Sequence, residues 1–190
     1  MDERRTRLVA LVQDLAFLDG GHQEAFTLAS GRTSQWFFDM KPVMMHPEAG
    51  GLVADLILDH VEALGVDLLG GLELGAVPLT ALVIARAGEM SALRGIMIRK
   101  EAKGRGGRKT QNPPGFEGAS IAGDERVLIL EDVTTTGGSA LQVVERIRQQ
   151  TTCEIVGVLT ILDREEGASE AFGSAGIPFI PLLTRTMITT

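Results

Sequence analysis

Residues Val127–Ala140 read VLILEDVTTTGGSA. An apolar run, Val127–Leu130, is followed at once by two acids, Glu131 and Asp132. Then come Thr134, Thr135, Thr136, Gly137, Gly138 and Ser139, and after them a helical pattern. A short continuous apolar run bounded in this way fits a strand buried on both faces. In open α/β sheets ligands sit beyond the carboxyl ends of the strands, so the residues just after Leu130 stand at a site. Small hydroxylated and glycine residues there leave backbone N–H groups and the N-terminus of the next helix free to hold a phosphate. The two acids would be repelled by that phosphate unless they serve another part of the ligand. Vicinal ribose hydroxyls, or Mg2+ bound to them, suit carboxylates. The stretch therefore predicts a phosphorylated sugar as ligand and a parallel sheet as its support.

Outward from it, strands and helices alternate. Helical spacing covers Leu52–Leu64, Leu79–Ala87 and Ala140–Gln149, and short apolar strands are expected at Asp67–Gly71, Gly95–Arg99, Ile155–Leu162 and Ile177–Leu182. This order predicts an α/β fold, a Rossmann-like parallel sheet flanked by helices. Leu8, Leu11, Val12, Leu15 and Leu18 recur at helical spacing near the start, where Gln13 and Asp14 interrupt the apolar run. An amphipathic helix fits that pattern better than a signal peptide. Phe26–Pro42 reads as short strands around a Ser30-Gly31 turn, while Lys103–Asp124 is rich in glycine and proline with little apolar periodicity. A loop that long inside a compact domain is usually functional or disordered.

The chain has 190 residues, enough for one substantial core, and a single domain over 1–190 is expected. A net charge of −7 and a pI near 5.0 argue against general affinity for nucleic acid. Cys153 is the one cysteine and so has no internal disulfide partner, which points to a reducing, cytoplasmic compartment. No run approaches the length of a membrane span.

Strand, paired acids and Thr/Gly loop together resemble the 5-phosphoribosyl-1-pyrophosphate (PRPP) motif of type I phosphoribosyltransferases, with Glu131 where that family often has Asp. Four further segments, in the family's order, narrow the resemblance to orotate phosphoribosyltransferases. SGRTSQWFFD (Ser30–Asp39) is similar to an N-terminal hood over 1–45, in which Phe37 and Phe38 match an aromatic pair lying against the pyrimidine. Lys41 stands in for a lysine that some members carry where this chain has Ala29. GLELGAVP (Gly71–Pro78) matches the pyrophosphate loop. Some members have lysine at the place of Gly75, so the amides of Leu74, Gly75 and Ala76 are expected to carry that contact. IRKEAKGRGGRK (Ile98–Lys109) resembles the start of a mobile catalytic loop over 100–124. Arg99, Lys100 and Lys103 there are candidate catalytic cations that also bind PRPP, and Arg105, where the family commonly has His or Tyr, is a candidate to bind its phosphate oxygens. ILDREEG (Ile161–Gly167) places Arg164 as the residue for the orotate carboxylate, against a competing reading as an ion pair with Asp163, Glu165 or Glu166.

The resemblance implies transfer of phosphoribose from PRPP to orotate, giving orotidine 5′-monophosphate and pyrophosphate in pyrimidine biosynthesis. It assigns Glu131 and Asp132 to the ribose, with Asp132 also catalytic, and Thr134–Ser139 to the 5′-phosphate. Thr135 is shared with orotate. Mg2+ is expected to arrive on PRPP and water, without direct protein ligands. A homodimer with shared sites is implied as well. The alternatives are a transferase for another base and a non-catalytic PRPP-binding regulator.

Overall fold

The structure, a computed structural model, describes residues 2–21, 26–27, 33–88, 92–101 and 110–190. Lys103, Arg105 and Ala29 lie outside the described residues. Helix α1 (Glu3–Leu15) leads into strand β1 (Phe17–Asp19), followed by β2 (Phe26–Thr27), β3 (Thr33–Ser34), β4 (Trp36–Phe38) and the short helix α2 (Lys41–Met44). The strand pairs β1 with β4 and β2 with β3 are antiparallel and form the small N-terminal unit.

From α3 (Pro47–Leu64) the chain runs through β5 (Leu68–Leu72), α4 (Ala76–Ala87), β6 (Arg94–Ile98), β7 (Phe116–Gly118) and β8 (Arg126–Thr134). It continues through α5 (Gly138–Gln150), β9 (Glu154–Asp163), α6 (Ala168–Ser174) and β10 (Phe179–Thr184) to α7 (Arg185–Thr189). The main sheet has the order β10-β9-β8-β5-β6-β7, parallel except for β7, which runs antiparallel at the edge. The expected all-parallel sheet thus gains one antiparallel strand from within the glycine-rich segment. Phe116 explains this: its ring is buried in the core, and its strand pairs through Ile98↔Phe116. The segment read as loop over 100–124 is therefore built into the sheet at 116–118.

Alternation along the strands divides the core. Leu69, Leu128, Leu130 and Leu159 pack with the helices α1 to α4 on one face. Leu68, Val127, Ile129 and Val158 pack with α5 and α6 on the other. Burial on both faces is what the unbroken apolar run of β8 requires.

Helix α3 starts at Pro47, not Leu52, and Leu18 lies in β1, not in the N-terminal helix; two further boundary shifts carry candidate site residues. Strand β8 does not stop at Leu130 but continues to Thr134, because β9 pairs with it through Glu131↔Thr160, Val133↔Leu162 and Thr134↔Asp163. Helix α4 starts at Ala76, not Leu79, with Pro78 inside its first turn, where a missing N–H costs nothing.

Candidate active site

The carboxyl ends of β5, β8 and β9 bring the predicted site together. Because Glu131 and Asp132 both lie on β8, strand alternation sends their side chains to opposite faces. Glu131 lines a pocket of about 280 Å3 together with Val133, Thr134–Ala140 and Gln142. The Asp132 carboxylate lies instead against Gly75 of the β5–α4 loop, where any Cβ would overlap it. Its Oδ1 accepts from the Val133 N–H at 2.9 Å. The two acids therefore bracket the strand end, one toward the Thr/Gly loop and one toward the β5–α4 turn.

Gly137 shapes the pocket floor. Its φ of 81° is left-handed, and a Cβ would meet the Phe172 ring at 2.9 Å, so only glycine turns β8 into α5 here. No side chain caps α5, which leaves its first N–H groups directed at the pocket. Within the same pocket, Thr134 Oγ1 and Glu131 Oε1 are buried and have no hydrogen-bond partner among the described residues. Buried polar atoms without partners are costly, and a ligand with hydroxyl and phosphate oxygens would satisfy both these and the helix N-terminus.

Burial pushes the Glu131 carboxyl up to about 8, with Asp132 adding repulsion and Lys100 partly opposing it. The side chain is 8% exposed. Its ordinary value is 4.5, so between pH 4.5 and 8 the unfolded chain gives up a proton that the folded chain keeps. The associated stability is complete below 4.5 and is lost as pH rises to about 8. Glu131→Gln, which removes the titration, is expected to match the parent below pH 4.5. It should become the more stable protein as pH rises, with a gap growing by up to about 1.4 kcal/mol per unit. Urea unfolding of both proteins from pH 4.5 to 9 measures this; parallel stability curves would show that Glu131 is not desolvated.

The basic residues that follow β6 are held by a residue that the local sequence pattern does not single out. Glu73 accepts from the Lys100 N–H at 2.8 Å and its carboxylate lies 3.7 Å from the Arg99 guanidinium, which also faces Glu117 at 3.8 Å. Arg99 is thus flanked by carboxylates of its own chain, whereas Lys100 is exposed beside Glu131. Arg146 of α5 donates to the backbone carbonyls of Arg99 and Pro114 and lies over the Phe116 ring. An arginine on the polar side of an amphipathic helix gave no signal for this.

Of the expected base-side residues, the aromatic pair divides as alternation demands. Phe38 is core, its ring stacked on Phe17 at 5.2 Å and turned away from the surface; Phe37 is 36% exposed and leans on Phe26. Lys41 is exposed and paired with Asp39 at 3.1 Å. Arg164 is buried, donates its backbone N–H to the Thr134 carbonyl at 2.9 Å and directs Nη2 to Ser34 Oγ at 3.0 Å and Glu166 at 2.8 Å. The competing ion pair therefore exists, with Glu166 as its partner. The same contacts put Arg164 between the Thr/Gly loop and the N-terminal unit. A Cβ at 75 would overlap the Asp132 carboxylate, so a lysine there would require that carboxylate to swing aside; Leu74, 68% exposed, is the projecting residue of the turn.

No family model matches the chain. The orotate phosphoribosyltransferase of Rhodopseudomonas palustris is 42% identical to it over 176 residues, 92% of this chain and 90% of the relative. That of Streptomyces avermitilis is 37% identical over 181 residues, 94% and 93% of the two chains. The solved Mycobacterium tuberculosis orotate phosphoribosyltransferase in complex with PRPP superposes with a TM-score of 0.77 at 28% identity, covering 98% of this chain and 99% of that one. Identity of this degree along nearly the whole length, over the same architecture, establishes that the chain belongs to the orotate phosphoribosyltransferase family.

Proposed function

We propose that this chain transfers the 5-phosphoribosyl group of PRPP to orotate, giving orotidine 5′-monophosphate and pyrophosphate. The observation that carries the reading is one backbone hydrogen bond, Arg164 N–H to the Thr134 carbonyl, which joins a buried guanidinium to an uncapped phosphate loop. A guanidinium fork suits a carboxylate, and orotate is a pyrimidine carrying one.

In this reading Thr134–Ser139 anchor the 5′-phosphate, Glu131 and Asp132 hold the ribose hydroxyls, and the amides of Leu74–Ala76 receive pyrophosphate. Phe37 covers the pyrimidine edge and Lys41 balances charge nearby. Binding energy spent on the remote phosphate fixes the anomeric carbon for displacement with inversion. The transition state is a ribosyl oxocarbenium ion parting from a highly charged leaving group, so fixed charges account for most of the catalysis. Lys100 supplies a cation on the leaving-group side. The resemblance assigns Lys103 the same task, within a homodimer in which Lys103 of one protomer serves the other's site, and Arg105, which departs from the family's pattern, binds phosphate oxygens of PRPP.

Among the described residues no group of three His, Cys, Asp or Glu encloses a metal. The Glu131 and Asp132 carboxylates would hold Mg2+ arriving with PRPP through water. When bound, Mg2+ neutralises charge on the departing pyrophosphate. No helix among the described residues is long and apolar enough to cross a membrane, and a cytoplasmic setting is proposed from the lone Cys153.

Loss of orotate absorbance in the presence of PRPP and Mg2+ tests the activity. Uracil, hypoxanthine and adenine in its place are expected to give no turnover, and turnover with one of them alone would favour a transferase for another base. Binding of PRPP without turnover would favour a regulator. For the base contact itself, Arg164→Ala is expected to raise the KM for orotate by about 1.5–3 kcal/mol of lost charge-assisted bonding while sparing PRPP. Unaltered orotate saturation in a folded variant would leave Arg164 with its structural pair alone.

A further inference from the structure

Glu165 is the one non-glycine residue with positive φ, 57°, among the described residues. That conformation costs a glutamate free energy and persists only where surrounding contacts hold it. Here they come from the C-terminal segment. Glu165 Oε2 accepts from the Thr186 N–H at 2.9 Å and from Thr186 Oγ1 at 2.7 Å, with Arg185 Nε at 3.7 Å. Its own N–H donates to Asp163 Oδ1 at 2.9 Å. The Arg185 guanidinium also lies over the Trp36 ring, 5.2 Å from its centre, on the strand that carries Phe37. Helix α7 is tied down in turn where Gln13 Nε2 donates to the Ile188 carbonyl at 2.7 Å.

We propose that Glu165 is a positioning residue for base recognition. It pins the turn after β9 to the Arg185–Thr186 step and thereby fixes the direction in which Arg164 presents its guanidinium. The left-handed residue is what lets two neighbours part company: Arg164 turns toward Ser34 while Glu165 turns toward α7. The C-terminal segment so becomes a brace shared by the Arg164 turn and strand β4. The inference rests on the reading of Arg164 as the orotate contact.

Glu165→Gly separates positioning from folding, because glycine relieves the backbone strain while removing the carboxylate. Its thermal midpoint is expected to hold, while the KM for orotate rises about ten-fold, the effect of losing about 1.4 kcal/mol. The KM for PRPP and kcat at saturating orotate stay near those of the parent. Glu165→Gln keeps an oxygen that accepts from Thr186 and is expected to restore most of the orotate affinity. In the double variant Arg164→Ala with Glu165→Gly, the second change adds nothing to the first, since both act through one guanidinium. Equal rises in both KM values, additive losses in the double variant, or unaltered orotate KM alongside a working Arg164→Ala effect would overturn the positioning role. An Arg164→Ala variant with normal orotate kinetics would instead remove the underlying contact, and the role of Glu165 with it.

Discussion

Asp132→Asn is expected to lower kcat/KM for PRPP by roughly two to three orders of magnitude, the scale of one lost preorganised charge at a transition state. The substitution preserves shape and leaves an oxygen to accept from the Val133 N–H, so the end of β8 should keep its geometry. On the proposed reading, what disappears is one negative charge near a carbon that becomes cationic as pyrophosphate leaves. Asp132 is half-buried beside the Gly75 turn, where water screens the charge less than at the surface. Orotate binding is expected to be spared, because Arg164 and Phe37 approach from β9 and β4. Steady-state kinetics with each substrate varied, together with orotate binding to the unreacted enzyme, measures both halves. Normal PRPP kinetics would remove Asp132 from the ribose side of the site.

Much of this arrangement is legible in the chain. The unbroken apolar run of Val127–Leu130 fits a strand buried on both faces, and the acids and Thr/Gly turn behind it locate the site. The hidden part depends on partners distant in sequence. That Glu131 and Asp132 belong to the strand comes from Thr160–Asp163 of β9, which nothing in the local pattern announces. Strand β7 is three residues long, and its burial comes from one Phe116 set among glycines and prolines. Period two limits the Phe37–Phe38 pair to one exposed ring, but does not say which; the stack on Phe17 decides it. His46-Pro47 is a readable helix start that the apolar spacing from Leu52 obscures. The engagement of Lys100 and Arg99 by Glu73, and of Glu165 by Thr186, joins segments up to 27 residues apart, where sequence spacing has no bearing.

Gly75→Ala is expected to damage PRPP use nearly as much as Asp132→Asn, by about 100-fold in kcat/KM. A Cβ at 75 would overlap the carboxylate carbon and both oxygens of Asp132. The carboxylate is the end of a short side chain with solvent at hand, so it can swing aside, and the thermal midpoint should change little. Function has no such latitude. On the proposed reading, a displaced Asp132 would no longer face the ribose from its β8 position, and the loop amides of Leu74–Ala76 would lose the close approach that a missing side chain permits. The two changes should therefore fail to add: Asn is isosteric with Asp and is pushed aside by the same methyl group, leaving the double variant close to the worse single one. Additive losses would mean that Gly75 acts on pyrophosphate independently of the acid. Wild-type PRPP kinetics in Gly75→Ala would mean that the carboxylate works from a different orientation than the one packed against this turn.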